Sequence, residues 1–299
     1  MPTATTVTAP VRITRKRAQT LTDAMLQGTT LAERRAALRA GYDVGTHSDL
    51  YRDARRSLIA TRVAHGFAMA PAPLLSEPSS NVKLAKGATP AYGLTLQSFR
   101  SVFADGTRVN ACPDAGQCVR VCVLNRGKGA LPDVQRARDY RTEFVARHTL
   151  AALIMIGAEL RRAVDKWGAI TFRPNVNSDV LWSSVVGDGL TTLPGVTSYG
   201  YTKRPMTDDR PSGLHHEARS FSERSDWIDA AIHARSGGTV AIVTNRRPGE
   251  PIEQWHPTAR VVDADATDEW MFTPGVFGDL SFKSDRPADR SFGFVQHVY

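Results

Sequence analysis

No window of this 299-residue chain reaches the roughly 18 consecutive apolar residues that a bilayer-crossing helix needs. The first residues also lack the charged-then-apolar pattern of a secretory leader. The expectation is a cytoplasmic protein with no membrane partner. No internal repeat is visible, which argues against a solenoid. Cysteine is scarce, with three residues in all. An odd, small number in an intracellular chain disfavours a disulfide framework. What is present is a hydrophobic share of 41% with 23% charged residues, enough for one large folded domain and a small appendage.

Acidic residues are thin in the first 62 positions. Arg12, Arg15, Lys16, Arg17, Arg34, Arg35, Arg39, Arg52, Arg55, Arg56 and Arg62 crowd that stretch, and the whole chain carries a formal charge of +8. Lysine and arginine gain by displacing counterions from phosphates, so nucleic acid bound through this region is one expectation. A solvated helix face is the plain alternative. Residues 1–10, rich in Thr, Ala and Pro, read as a disordered lead-in. Leu21 to Arg39 reads as helical, with Thr30 and Glu33 spaced as a capping box, and a second helix is expected from Ser48 to Ala64. The proline- and serine-bearing stretch 68–80 reads as an extended strap rather than a packed element. The organisation expected is a basic helical extension with a Pro-rich linker over 1–75, then an α/β domain over 76–299.

Beyond the strap, β-like segments are expected at 91–99, 169–172, 196–201, 239–243, 259–262 and 276–280. Helical stretches fall between them, at 131–164, 179–186 and 225–234. Such alternation predicts an α/β fold with a barrel-like or partial-barrel parallel sheet.

All three cysteines, Cys112, Cys118 and Cys122, fall within eleven positions on a loop bearing Pro113 and Gly116. Soft thiolates gathered this closely favour an iron–sulfur cluster or zinc. The spacing is not a pair of C-x-x-C hooks, which lowers the zinc reading. Three thiolates would leave one iron of a 4Fe-4S cluster open to a substrate, a small molecule or a remote histidine, with His148, His215, His216, His233 and His256 as candidates. In parallel α/β sheets the loops after strand C-termini build the functional site. That rule selects Arg173, Asn175, Asn177 and Asp179 after one strand, Tyr201 and Lys203 after the next, and Asp263, Asp265 and Asp268 further on. A cap or turn role is the plain alternative for each. Lys83 and Lys86 add positive charge ahead of the loop, and Arg138 and Arg141 add it behind.

Taken in order, Asn81-x-Lys83, the cysteine loop, Arg138 with Arg141-Thr142-x-Phe144, Arg173-x-Asn175-x-x-Ser178-Asp179 with Trp182, Tyr199-x-Tyr201-Thr202-Lys203, Ser220-Phe221-Ser222 and Asp263-x-Asp265-x-x-Asp268 resemble the phage family named for gene product 88. More distantly, three cysteines after the first strand of a barrel are similar to the radical S-adenosylmethionine enzymes. Here, however, five and three residues separate the cysteines where that family has three and two, and Val121 replaces its aromatic. The resemblance implies an iron–sulfur phage protein in the host cytoplasm, with redox or radical chemistry at a cluster that binds a small molecule. Two other functions fit the sequence: a nucleic-acid-binding protein of phage replication or transcription with a structural metal site, and a structural or host-interaction protein with neither chemistry nor nucleic acid.

Overall fold

The computed structural model describes residues 19–70, 72–80, 85–122, 124, 126–247, 249–252, 254–256, 259–283 and 293–297. Lys83 and the basic run from Arg12 to Arg17 lie outside the described residues. The chain opens with β1 (Gln19–Thr20) and α1 (Leu21–Leu26), followed by α2 (Leu31–Val44) and α3 (Asp49–Ala64). The caps are local chemistry. The Glu33 N–H donates to Thr30 Oγ1 at 3.2 Å while the Thr30 N–H donates to Glu33 Oε2 at 2.7 Å, a reciprocal pair that satisfies two otherwise orphan donors. Ser48 caps α3 through the Tyr51 N–H.

The strap at 68–80 is packed, contrary to expectation. Leu74 and Leu75 are buried, and their N–H groups donate to Glu159 at 3.0 and 2.8 Å. A carboxylate on a neighbouring helix thus ties down the middle of a segment whose own regular structure is a 3-10 turn at Pro78–Ser80. The next segments are β2 (Ala91–Gly93), the short hairpin β3 (Ser101–Val102) and β4 (Arg108–Asn110), the cysteine loop, α4 (Pro132–Arg147) and α5 (Thr149–Trp167). His148, at φ −123°, breaks the long helical stretch in two.

From here the strands of the main sheet follow with two α-helices among them: β5 (Ile170–Arg173), α6 (Trp182–Val186), β6 (Val196–Thr202), β7 (His216–Ser220), α7 (Trp227–Arg235), β8 (Thr239–Thr244), β9 (Arg260–Asp263), β10 (Val276–Ser281) and β11 (Val295–Gln296). The main sheet runs β2-β5-β6-β7-β8-β10-β9, with β11 added along β8 beyond the point where β7 ends. Every pairing in it is parallel, as in a partial barrel. All strand C-termini therefore point the same way, which brings the loops after them together.

Alternation along each strand divides the two faces of the sheet. Val240 and Ile242 of β8 pack with Ala230 and Ala234 of α7. Ala241, between them, packs instead with Ala218 and Trp270. On that second face the strands carry small residues. A Cβ on Gly278 would lie 2.5 Å from the Trp270 ring, so the indole takes the room the missing side chain leaves.

The N-terminal helices belong to the largest apolar cluster, where Leu21, Met25, Leu38 and Leu58 join Phe144, Ile156, Phe172 and Trp182. Their basic surface is also less cationic than the sequence suggests. Arg35, Arg39, Arg52 and Arg56 pair with Asp188, Asp43, Asp49 and Asp53. Arg34 is buried and donates to Val185 O at 2.6 Å.

Candidate functional site

The strand-end loops surround a cavity of about 510 Å3. The cysteine loop forms one wall. It leaves β4 through Asn110, whose Oδ1 accepts the Cys112 N–H at 2.9 Å, and continues through a 3-10 helix over Gly116–Val121. Two contacts from the loop after β7 clamp it. The Gln117 N–H donates to Glu223 Oε1 at 2.9 Å, and Arg224 donates to Asp114 O at 2.8 Å. Gly116 is required here, because its φ is +52° and a Cβ would lie 1.9 Å from Glu223 Oε1. Behind Cys122, the buried Arg138 donates to Leu124 O at 3.2 Å and Gly129 O at 2.7 Å. Arg138 therefore fastens the exit of the loop.

Cys112, Cys118 and Cys122 are free thiols, and all three line the cavity. Burial pushes the Cys112 thiol well above its ordinary value, with the Asp179 carboxylate and Cys118 adding to the effect and Lys203 opposing it. Cys118 is raised by burial too, again opposed by Lys203. Ser98 Oγ lies 3.7 Å from Cys122 Sγ. Among the described residues, no group of three or more His, Cys, Asp or Glu side chains converges as a ready site for a metal ion. No described histidine lines the cavity either, so none of His148, His215, His216, His233 and His256 is placed there as a fourth ligand.

Six of the polar residues chosen from the sequence are brought to the same cavity: Arg173, Asn175, Asn177, Asp179, Tyr201 and Lys203 all line it. Their tasks differ. Asn175 organises its own loop, accepting from Ser178, the Val180 N–H and Trp182 Nε1 and donating to Val180 O. Arg173 Nη1 donates to Asp268 Oδ2 at 2.8 Å, and its guanidinium lies over the Tyr201 ring. Burial works against the Arg173 charge, but Asp268, Tyr201 and Tyr199 together outweigh it and hold the group charged. Tyr199 and Tyr201 also donate to Asp268. Lys203 Nζ reaches Phe221 O at 3.4 Å.

Asp263 and Asp265 fall outside the cavity lining. Both lie beside the buried Arg246, at 3.5 and 3.1 Å. Asp265 also pairs with Lys283, which does line the cavity. Sequence reasoning overlooked Glu223, Lys283 and the apolar wall formed by Val121, Val243, Phe282 and Phe294. Only the Ser220-Phe221-Ser222 motif, just ahead of Glu223, pointed that way.

Asp179 joins three parts of the site. Its N–H donates to Ala111 O at 2.7 Å, and its Oδ2 accepts the Lys203 N–H at 2.8 Å. Burial pushes its carboxyl up to about 6, against the Lys203 and Thr202 hydrogen bonds that favour the charged form. An acid whose folded value lies above its ordinary 3.8 holds its proton more tightly when folded. Its favourable share of stability is therefore complete below about 3.8 and is lost as pH rises through about 6. Asp179→Asn keeps an oxygen for the Lys203 N–H. It is expected to stabilise the protein at neutral pH by on the order of 2 kcal/mol and to flatten the pH dependence across that window. Urea midpoints at the two ends of the window check this, and an unchanged slope would count against it.

A family model described as gene product 88 matches residues 73–291. No curated protein and no solved structure matches the chain.

Proposed function

The chain belongs to the gene product 88 family, and on that footing we propose that Cys112, Cys118 and Cys122 hold an iron–sulfur cluster, of the 4Fe-4S type, at the mouth of the sheet. The observation that carries this reading is that every cysteine of the protein is an unoxidised thiol lining one cavity at the strand C-termini. The donor set fits the group. A single ion needs its ligands gathered round one point, whereas cluster thiolates each bind a different iron and stand further apart. Three soft donors lining a cavity without converging on one point suit the second arrangement better than zinc, the alternative metal. With three thiolate ligands, such a cluster would have one iron open to a small molecule.

A cluster so held would supply one-electron redox or radical chemistry. The protein's own residues do the rest. Lys203 sets a positive charge against the thiolates, and Arg138 secures the loop that carries them. Asp179, with a carboxyl at about 6, exchanges a proton near neutrality beside Cys112. Arg173 and Tyr201, fixed by Asp268, present a preorganised polar floor. The apolar wall from Val121, Val243, Phe282 and Phe294 limits water.

Protein purified without oxygen is expected to be brown, to absorb near about 400 nm as cluster-bearing proteins do, and to contain iron and sulfide. Cys118→Ala should lose both the colour and the iron while keeping the far-ultraviolet dichroism of the folded chain. A colourless protein carrying stoichiometric zinc would defeat the proposal.

A further inference from the structure

A second cavity, of about 420 Å3, opens between α3, α5 and the strap, with His47, Tyr51, Arg55, Pro73, Glu77 and Arg162 among its lining. Its charges are unbalanced. The one carboxylate in the lining, Glu77, lies 3.4 Å from Arg162. The nearby Glu159 is occupied, since its oxygens accept from the Leu74 and Leu75 N–H groups and from the Tyr51 hydroxyl. Arg55 is left over: its Nε is buried and meets no hydrogen-bond acceptor among the described residues.

The contrast along α3 is informative. Arg52 and Arg56, which flank Arg55 on the exposed side, each pair with an aspartate three residues earlier. The arginine that faces the cavity has no such partner. Buried N–H groups are nearly always satisfied, by protein, water or a bound ion, and Arg55 Nε borders an open cavity from which such an acceptor can reach it. A guanidinium fork matches the paired oxygens of a phosphate or a carboxylate, and two guanidinium groups at one cavity favour the more highly charged phosphate. The cavity also lies within the size range of small-molecule sites.

We propose that this cavity binds the phosphate group of a small molecule, with Arg55 and Arg162 as its two guanidinium partners and His47 beside them. The site shares no residue with the cysteine cavity, so it stands or falls independently of the cluster.

The test is calorimetric titration of the full chain with sodium pyrophosphate and with inorganic phosphate, repeated on three variants and in the presence of a short DNA duplex. Pyrophosphate should bind saturably at one site per chain. Arg55→Gln and Arg162→Gln should each weaken it about tenfold or more. Arg56→Gln, which alters only an exposed pair, should leave it unchanged. Pyrophosphate should also raise the melting temperature of the native chain but not that of Arg55→Gln. Binding that the duplex leaves untouched assigns the site to a free phosphate compound, and displacement by the duplex assigns it to backbone phosphates. Absence of saturable binding at millimolar pyrophosphate overturns the proposal, as does an equal loss in Arg56→Gln.

Discussion

Gly157→Ala is expected to destabilise the protein by about 3 kcal/mol, although alanine is the better helix former by up to about 1 kcal/mol. The reason is the crossing of α2 and α5. A Cβ on Gly157 would lie 2.2 Å from Leu38 O and 2.6 Å from Tyr42 N, and one on Gly41 would lie 2.1 Å from Ile154 O. Each obstacle is backbone rather than the end of a mobile side chain, so the helices themselves must separate. Separation loosens the contacts of Leu38, Leu153 and Ile156, which are buried in the same cluster. It also disturbs the site at one remove, because β1 and α1 precede α2 and β1 pairs with β4 immediately ahead of Cys112. Gly41→Ala should behave alike. The double variant should cost less than the sum, since helices already driven apart admit the second methyl group. Urea unfolding measures all three. A midpoint that rises in Gly157→Ala would show that helix propensity outweighs the contact.

What the sequence made legible is mostly what neighbouring residues decide together. The Thr30–Glu33 box is local chemistry and is present, and the helix expected from Ser48 to Ala64 runs Asp49–Ala64. The apolar strands at 170–173, 196–202, 239–244 and 276–281 lie within a few residues of their expected bounds, because buried parallel strands read as continuous apolar runs. The rule that function gathers at strand C-termini then brought Arg173, Asp179 and Lys203 to one cavity with the cysteines.

The misses have long-range causes. β7 was not expected, because His216, Glu217 and Arg219 disguise it. Its polarity is neutralised by residues elsewhere in the chain, with Glu217 pairing with Arg204 as well as Arg219. The strand expected over 91–99 stops at Gly93, where Ser76 pairs with it and the Leu94 N–H turns to Arg173 O. The chain beyond is thereby freed to bring Ser98 to the cavity. Arg138, expected either beside the thiolates or facing solvent, is buried and bonded to Leu124 O and Gly129 O. Asp263 and Asp265 satisfied the strand-end rule yet turned to Arg246, a partner whose burial no local pattern announces.

That partner sets the second large effect. Asp279→Ala is expected to cost about 3–5 kcal/mol. Asp279 and Arg246 are both almost wholly buried, and the carboxylate is fully used: Oδ1 accepts from Thr244 Oγ1 at 2.7 Å and from Arg246 Nε, while Oδ2 accepts from Trp255 Nε1 at 3.1 Å. Truncation strands a guanidinium that cannot reach water, and Asp263 and Asp265, at 3.5 and 3.1 Å, compensate only at the outer end of its fork. Asp279→Asn should cost less, because the amide keeps an oxygen for Thr244 or Trp255. Arg246→Met combined with Asp279→Leu should recover most of the loss, since a buried pair replaced by apolar groups of similar size removes the desolvation cost along with the attraction. The double variant should nevertheless impair the cysteine cavity. Arg246 steadies Asp265, which holds Lys283 at the cavity wall, so stability and site geometry would part company. Thermal unfolding of the four proteins tests the energetic claim. An Asp279→Ala variant as stable as the parent would show that the guanidinium finds water or another acceptor, and that the pair is not what joins the ends of β8 and β10.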